Sequence, residues 1–280
     1  MLLSDIKQSI QQDLMSCYRW ALTSGFIGTA LGQFLYKHAY FIYKRHIEAG
    51  AVNNLQKLVT PGTWMIDVGA NIGFFSMYFC RWVSQGGKVI ALEPEPKNYT
   101  LLLNTMKKNQ KKRTIETLSV AADSSDGTAK LFLNPLHPGD HKLGPQGLEV
   151  TTLSIDTLLE KRDWPAVSLI KIDVQGAEMR VLAGARRTIQ RLYPSFFVEI
   201  DESALAQFAT STQDILLFFK DAGYTAHTLQ KNRISEPVAM TDIRQLLRNR
   251  QYIDLLFLSA RQKKCGLSSD GPCASIETIL

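Results

Sequence analysis

Two groups of acidic residues beside glycine turns carry the chemistry of this chain. The first is Asp67-Val68-Gly69-Ala70-Asn71-Ile72-Gly73, set between an apolar run at Trp64 to Val68 and a helical pattern that starts near Phe74. Gly69 and Gly73 permit a tight strand-to-helix turn and close approach of a ligand to the backbone. Glu93 follows Gly73 by twenty residues, closes the next apolar run and precedes Pro94. A carboxylate at that point accepts two hydrogen bonds from ribose hydroxyls, so the pair predicts a nucleoside site. Asp123 ends a third run, where it is placed to accept from an adenine amino group. Its neighbours Ser124, Ser125, Asp126 and Gly127 suit an ordinary turn equally well.

The second group is Lys171-Ile172-Asp173-Val174-Gln175-Gly176-Ala177-Glu178, where a fourth strand meets its helix. Strand alternation sets Lys171 and Asp173 on one face, opposite Ile170, Ile172 and Val174. A lysine inside a covered sheet needs a carboxylate, and Asp173, Asp67 and Glu199 are the candidates. Asp173 lies at the strand's carboxyl end, beside the expected nucleoside, and Glu178 opens a helix whose dipole favours an acid.

The nucleoside is either a dinucleotide or a methyl donor. A G-x-G-x-x-G phosphate turn would want glycine where Asn71 stands, and Asp67 would oppose a diphosphate. S-adenosylmethionine carries no phosphate, and its ammonium and sulfonium are attracted to acids, by several kcal/mol at about 4 Å if the effective dielectric is about 20. The acidic turn therefore favours S-adenosylmethionine as cofactor. Transfer of its methyl group is mainly a matter of alignment, with a base to take the acceptor's proton. Asp173 and His141 are the candidate catalytic residues.

These residues need a scaffold that gathers strand ends. Residues 61 to 200 alternate apolar runs at 64–68, 88–92, 114–121, 168–172 and 195–200 with helical stretches at 73–84, 97–109 and 177–192. That order predicts a parallel sheet with helices on both faces. Between Asn134 and Gly147 stand Pro135, Pro138 and Pro145 with three glycines, which predicts a long loop joining two short strands. A helix at 212–222 and strands at 224–229 and 252–258 predict an antiparallel edge. Residues 1 to 60 read as helices, with Leu3, Ile6, Ile10 and Leu14 at helical spacing, either packed on the domain or touching a membrane surface. The expected domain spans 61–260, with a flexible tail over 261–280.

The 280 residues are 45% apolar and 21% charged, which excludes wholesale disorder, collagen-like repeats and coiled-coil rods. No repeat marks a solenoid or propeller. Cys17, Cys80, Cys265 and Cys273 lack C-x-x-C or zinc-ligand spacing, so neither disulfides nor a structural metal are expected. A cytoplasmic chain fits, with peripheral membrane contact through the N-terminal helices as its only membrane association. The uncharged run from Trp20 to Tyr36 has 17 residues and three glycines, short of a membrane span. The net charge of +6 is mild, and the basic clusters at Lys107 to Arg113 and Arg244 to Arg250 lack interleaved aromatics, so nucleic acid is disfavoured as a partner.

The chain resembles the FkbM family of S-adenosylmethionine-dependent methyltransferases over about residues 60 to 258. The resemblance rests on Asp67 to Gly73, Glu93-Pro94, Gly139-Asp140-His141, Thr152 to Asp156, Lys171 to Glu178 and Phe197 to Ile200. It implies a class I methyltransferase (Rossmann-like) α/β fold and O-methylation of a hydroxyl, on a small metabolite or glycan acceptor. Asp67, Gly69, Asn71, Gly73, Glu93, Asp123 and Asp173 then become the expected cofactor residues. Lys171, Glu178 and Glu199 become supports, and no metal is expected. Gln175 stands where the motif commonly has glutamate. The competing reading is a non-catalytic S-adenosylmethionine-binding module held at a membrane or partner by residues 1 to 60.

Overall fold

The computed structural model describes residues 52–108, 114–134, 141–230, 233–248 and 250–261. The helices expected within residues 1–51, and the tail beyond 261, lie outside the described residues.

Five parallel strands lie side by side in the main sheet and reach one of its edges. They are β1 (Trp64–Val68), β2 (Val89–Leu92), β3 (Ile115–Leu118), β8 (Val167–Ile172) and β9 (Ser195–Ile200), at the β-branched and apolar runs. The run expected over 114–121 ends at Leu118, however, and its last residue, Ala121, pairs in a second sheet. Between them run α1 (Phe74–Trp82) and α2 (Pro96–Lys108). The insertion carries β4 (Ala121–Ala122), β5 (Gly127–Phe132), β6 (Lys142–Gly144) and β7 (Leu148–Leu153). Then come α3 (Ile155–Glu160), α4 (Glu178–Ala183), α5 (Arg186–Leu192), α6 (Glu202–Ala206), α7 (Thr212–Asp221), β10 (Tyr224–Thr228), α8 (Met240–Arg248) and β11 (Ile253–Ser259).

The sheet order is β10-β11-β9-β8-β1-β2-β3, with β11 antiparallel to both neighbours. This is the class I methyltransferase arrangement, with its antiparallel strand pair at one edge. Both faces are covered, as the period-2 alternation demands. Ile66, Ile90, Ile170 and Phe196 pack towards Leu158, Val181, Ile189 and Ile215. Met65, Val89, Leu169 and Phe197 pack on the other side towards Phe75, Phe79 and Leu102. From β1 the chain proceeds outward through β2 and β3 before returning to β8 on the other flank. The β1–β8 boundary is thus the switch point where an open α/β sheet forms its crevice.

Two further expectations need correction. The 134–147 stretch is not all loop, because Lys142–Gly144 forms β6 and pairs with Lys130 to Phe132 in a second sheet of order β4-β7-β5-β6. Its driving force is burial of Leu143 with Leu131 and Val150. The single helix expected over 177–192 is broken after Ala183. A Cβ on Gly184 would lie 2.1 Å from the Asp123 carbonyl oxygen, so the chain passes there at a distance that only glycine permits.

Candidate active site at the β1–β8 switch point

Gly69 leaves β1 with φ 73°, and its N–H and that of Ala70 donate to Leu92 O at 3.0 and 2.9 Å. A Cβ on Gly69 would sit 1.9 Å from Asp173 O, so the two strand ends touch through backbone alone. The turn carries the Asn71 N–H to Glu93 Oε2 at 2.8 Å, while Glu95 N–H donates to Glu93 Oε1 at 3.0 Å. Burial pushes the Glu93 carboxyl up to about 7, against the pull of those two amides. Gly73 caps α1 in a left-handed conformation and packs on Leu102 and Met106.

Asp67 and Lys171 face each other in the β1–β8 register and both are buried. The Lys171 ammonium lies 3.5 Å from Asp67 Oδ1 and 3.1 Å from Asp173 Oδ2. It donates to Gly69 O at 3.1 Å and rests 4.9 Å from the Phe75 ring centre. Ser76 Oγ donates to the other oxygen of Asp67. Of the three carboxylates expected to pair with Lys171, Asp67 and Asp173 do so. Glu199 instead accepts from Gln175 Nε2, which also donates to Asp173, each at 3.0 Å. Glu178 is buried, and its Oε1 accepts from Gly176 N–H at 3.1 Å, with Val174 N–H at 3.4 Å. Burial raises its carboxyl to about 7.

These strand ends border an open cleft. Its polar lining includes Gly69, Asn71, Glu93, Asn98, His141, Asp173 and Gln175. Val68, Leu92, Val120, Ala122, Leu131 and Leu143 supply apolar walls. Among the described residues lining it there is no lysine or arginine. The donor set suits a cationic nucleoside: acids and backbone carbonyls for an ammonium, a doubly anchored carboxylate for a ribose, and an apolar slot for a base.

Several sequence-predicted residues lie behind this lining. Asp67 is sealed beneath the turn, and Gly73 serves helix packing. Asp123, expected against an adenine, is not part of the cleft lining. Its carboxylate forms a two-point pair with Arg180 Nε and an Arg180 terminal nitrogen, and also accepts Ser124 N–H. Asp156 is a staple, accepting from the N–H groups of Arg187 and Thr188 at 2.9 and 2.7 Å. His141 does reach the cleft. Its Nδ1 accepts Asn134 N–H at 3.1 Å, which holds the proton of the neutral ring on Nε2. Sequence reasoning missed Asn98, Leu131 and Leu143 as lining. The available signal was weak, because Leu143 stands alone as an apolar residue between Pro138 and Pro145.

Among the described residues no three metal-binding side chains gather into a site, and no helix is long and apolar enough to cross a membrane. Residues 67–226 match the family model described as Methyltransferase FkbM domain. The chain is 28% identical over 170 residues to methyltransferase sdnD of Sordaria araneosa, covering 49% of this chain and 65% of that one. It is 32% identical over 126 residues to the hexuronic acid methyltransferase AglP of Haloferax volcanii, covering 44% of this chain and 50% of that one. The chain thus spans less than two thirds of either relative. A solved FkbM methyltransferase from Methylobacillus flagellatus KT is 18% identical with a TM-score of 0.44, covering 78% of this chain and 53% of that one.

Proposed function

Because the chain belongs to the FkbM methyltransferase family, we propose that it moves a methyl group from S-adenosylmethionine to a hydroxyl of a sugar or small metabolite. The observation that carries this reading is the meeting of Glu93 and Asp173 in one cleft that lacks lysine and arginine among its described lining. Similarity to a hexuronic acid methyltransferase supports a sugar acceptor.

S-adenosylmethionine supplies, when bound, a methyl carbon activated by its sulfonium. Glu93 would accept from the ribose hydroxyls, its two oxygens fixed in place by the Asn71 and Glu95 amides. Asn71 and the Gly69 turn would border the amino-acid end, with Asp173 to meet its ammonium. Val120, Ala122, Leu131 and Leu143 would enclose the base. Asp173 would take the acceptor's proton as the acceptor oxygen bonds to the methyl carbon and the methyl–sulfur bond breaks, leaving the thioether, and Lys171 holds its carboxylate in place from 3.1 Å. His141, with its proton on Nε2, donates to the acceptor rather than serving as base. Of the two candidate bases, Asp173 and His141, we take Asp173, supported by its place at the end of β8 in the cleft lining.

Isothermal titration with S-adenosylmethionine and with NAD tests the cofactor. Binding of the first, competed by S-adenosylhomocysteine, is the expected result. Binding of NAD without the methyl donor would overturn the reading.

A further inference from the structure

The rim of the main sheet opposite the cleft gathers cations against aromatic rings. The amino ends of β9, β8, β1 and β2 lie side by side there, next to the carboxyl end of antiparallel β11. Arg261, just past β11, lies 4.5 Å from the ring centre of Tyr193, just before β9. Trp164 precedes β8, and Arg191 lies 4.5 Å from its ring centre. Trp64 opens β1, and Lys88, the residue before β2, lies 5.2 Å from its ring centre. Arg81 is 5.7 Å from the Tyr78 ring centre in the last turns of α1. Gly62 N–H donates to Ser84 O at 3.0 Å, which ties the chain leaving α1 to the same rim. All four rings are half-buried and all four cations exposed.

These cations carry uncompensated charge. Arg81, Lys88, Arg191 and Arg261 form no ion pair among the described residues, and neither do the exposed Lys107 and Lys220, in the last turns of α2 and α7 that lead back to this rim. Of the acids nearby, Glu160 is held by Arg187 at 2.7 Å and Glu116 by Arg162. Asp163 and Asp221 remain, so these six cations stand against two carboxylates. At the other rim the described lining of the cleft has no lysine or arginine.

We propose that this rim is a docking surface for a bilayer that contains anionic lipid. A half-buried ring with a cation beside it suits the headgroup layer, where the ring meets the ends of acyl chains and the cation meets phosphate or carboxylate. A nucleic acid would want open ring faces for its bases, whereas these rings are partly covered and already carry cations. The surface is separate from residues 1–60, where the sequence places membrane contact, and it does not depend on the methyl-transfer reading. Seated this way, the strands stand on the membrane, and the cleft opens about 17 to 20 Å above it, towards acceptors in the aqueous phase.

The test is sedimentation of the full chain with vesicles of phosphatidylcholine containing about a quarter phosphatidylserine. Binding is expected, with loss in pure phosphatidylcholine and weakening as salt rises from about 0.1 to 0.5 M. Lys88→Gln, Arg191→Gln and Arg261→Gln together should weaken it about a hundredfold, about fivefold for each cation. Lys97→Gln with Lys130→Gln, exposed cations away from the rim, should leave it within about threefold. Failure of the unaltered chain to bind overturns the proposal, and so does full binding by the triple variant, which would put the contact elsewhere in the chain. Equal losses per charge in the two variants would reduce the effect to net charge and overturn it as well. The same holds if single-stranded RNA binds the unaltered chain but not the triple variant while vesicles bind neither, which would give the rim to nucleic acid.

Discussion

The backbone N–H of Asn71 donates to the buried carboxylate of Glu93 at 2.8 Å, tying the glycine turn after β1 to the end of β2. The same carboxyl is raised to about 7 by burial, so a ligand that needs it ionised must meet it near neutrality. S-adenosylmethionine should therefore bind more tightly as pH rises from about 5.5 to 7, by up to tenfold per unit. In Glu93→Gln the affinity should fall about tenfold or more and the slope should vanish. Calorimetry across that range is the check, and a flat wild-type profile would count against the ribose assignment.

Asp173 touches Lys171 and Gln175 and borders the cleft. Replacing it with asparagine removes the proton acceptor while keeping the size of the side chain. Methyl transfer to the identified acceptor should drop by about 10² to 10⁴ in kcat. An unchanged kcat would remove Asp173 from the base role.

Glu178 links pH to stability. Its folded carboxyl is raised to about 7 from 4.5, so between those values the folded chain holds a proton that the unfolded chain has lost. The stabilisation is full below about 4.5 and disappears as pH climbs through 7. Relative to Glu178→Gln, the wild type should lose about 3 kcal/mol between pH 4.5 and 8, read from urea midpoints. A pH-independent difference would mean that the carboxyl is ionised throughout.

Lys171 neutralises two acids inside the sheet. Lys171→Met keeps the stem's length but leaves Asp67 buried without its cation, and breaking a buried pair in this way costs about 3 to 5 kcal/mol. Chemical denaturation should show that loss. A change below about 1 kcal/mol would mean that the pair is dispensable to the fold.

Asp123→Asn separates two roles. The Arg180 pair makes it structural, so stability should fall by about 1 to 3 kcal/mol while the S-adenosylmethionine Kd stays within about threefold. A large loss of donor affinity at unchanged stability would restore the adenine contact.

Much of the scaffold was legible in the chain. The runs at 64–68 and 195–200 coincide with β1 and β9, because β-branched and aromatic residues at period 2, closed by glycine or acid, are a local signal. Pro and Gly density concealed β6, whose three residues gain their strand only from pairing with β5. The break after Ala183 was equally hidden, since it answers to the carbonyl of Asp123, some sixty residues earlier.

Sequence by itself determined that acids would end β1, β2 and β8, beside glycine turns at β1 and β8 and before Pro94 at β2, because connectivity and periodicity fix which residues close each strand. Only the tertiary structure decided what each acid faces. Glu93 lines the cleft and Asp67 is sealed by Lys171 and Ser76, although both close parallel strands of one sheet. Asp123 is claimed by Arg180, 57 residues away. A carboxylate's role follows from the partner that reaches it, and those partners come from distant parts of the chain brought together by burial of the two apolar faces.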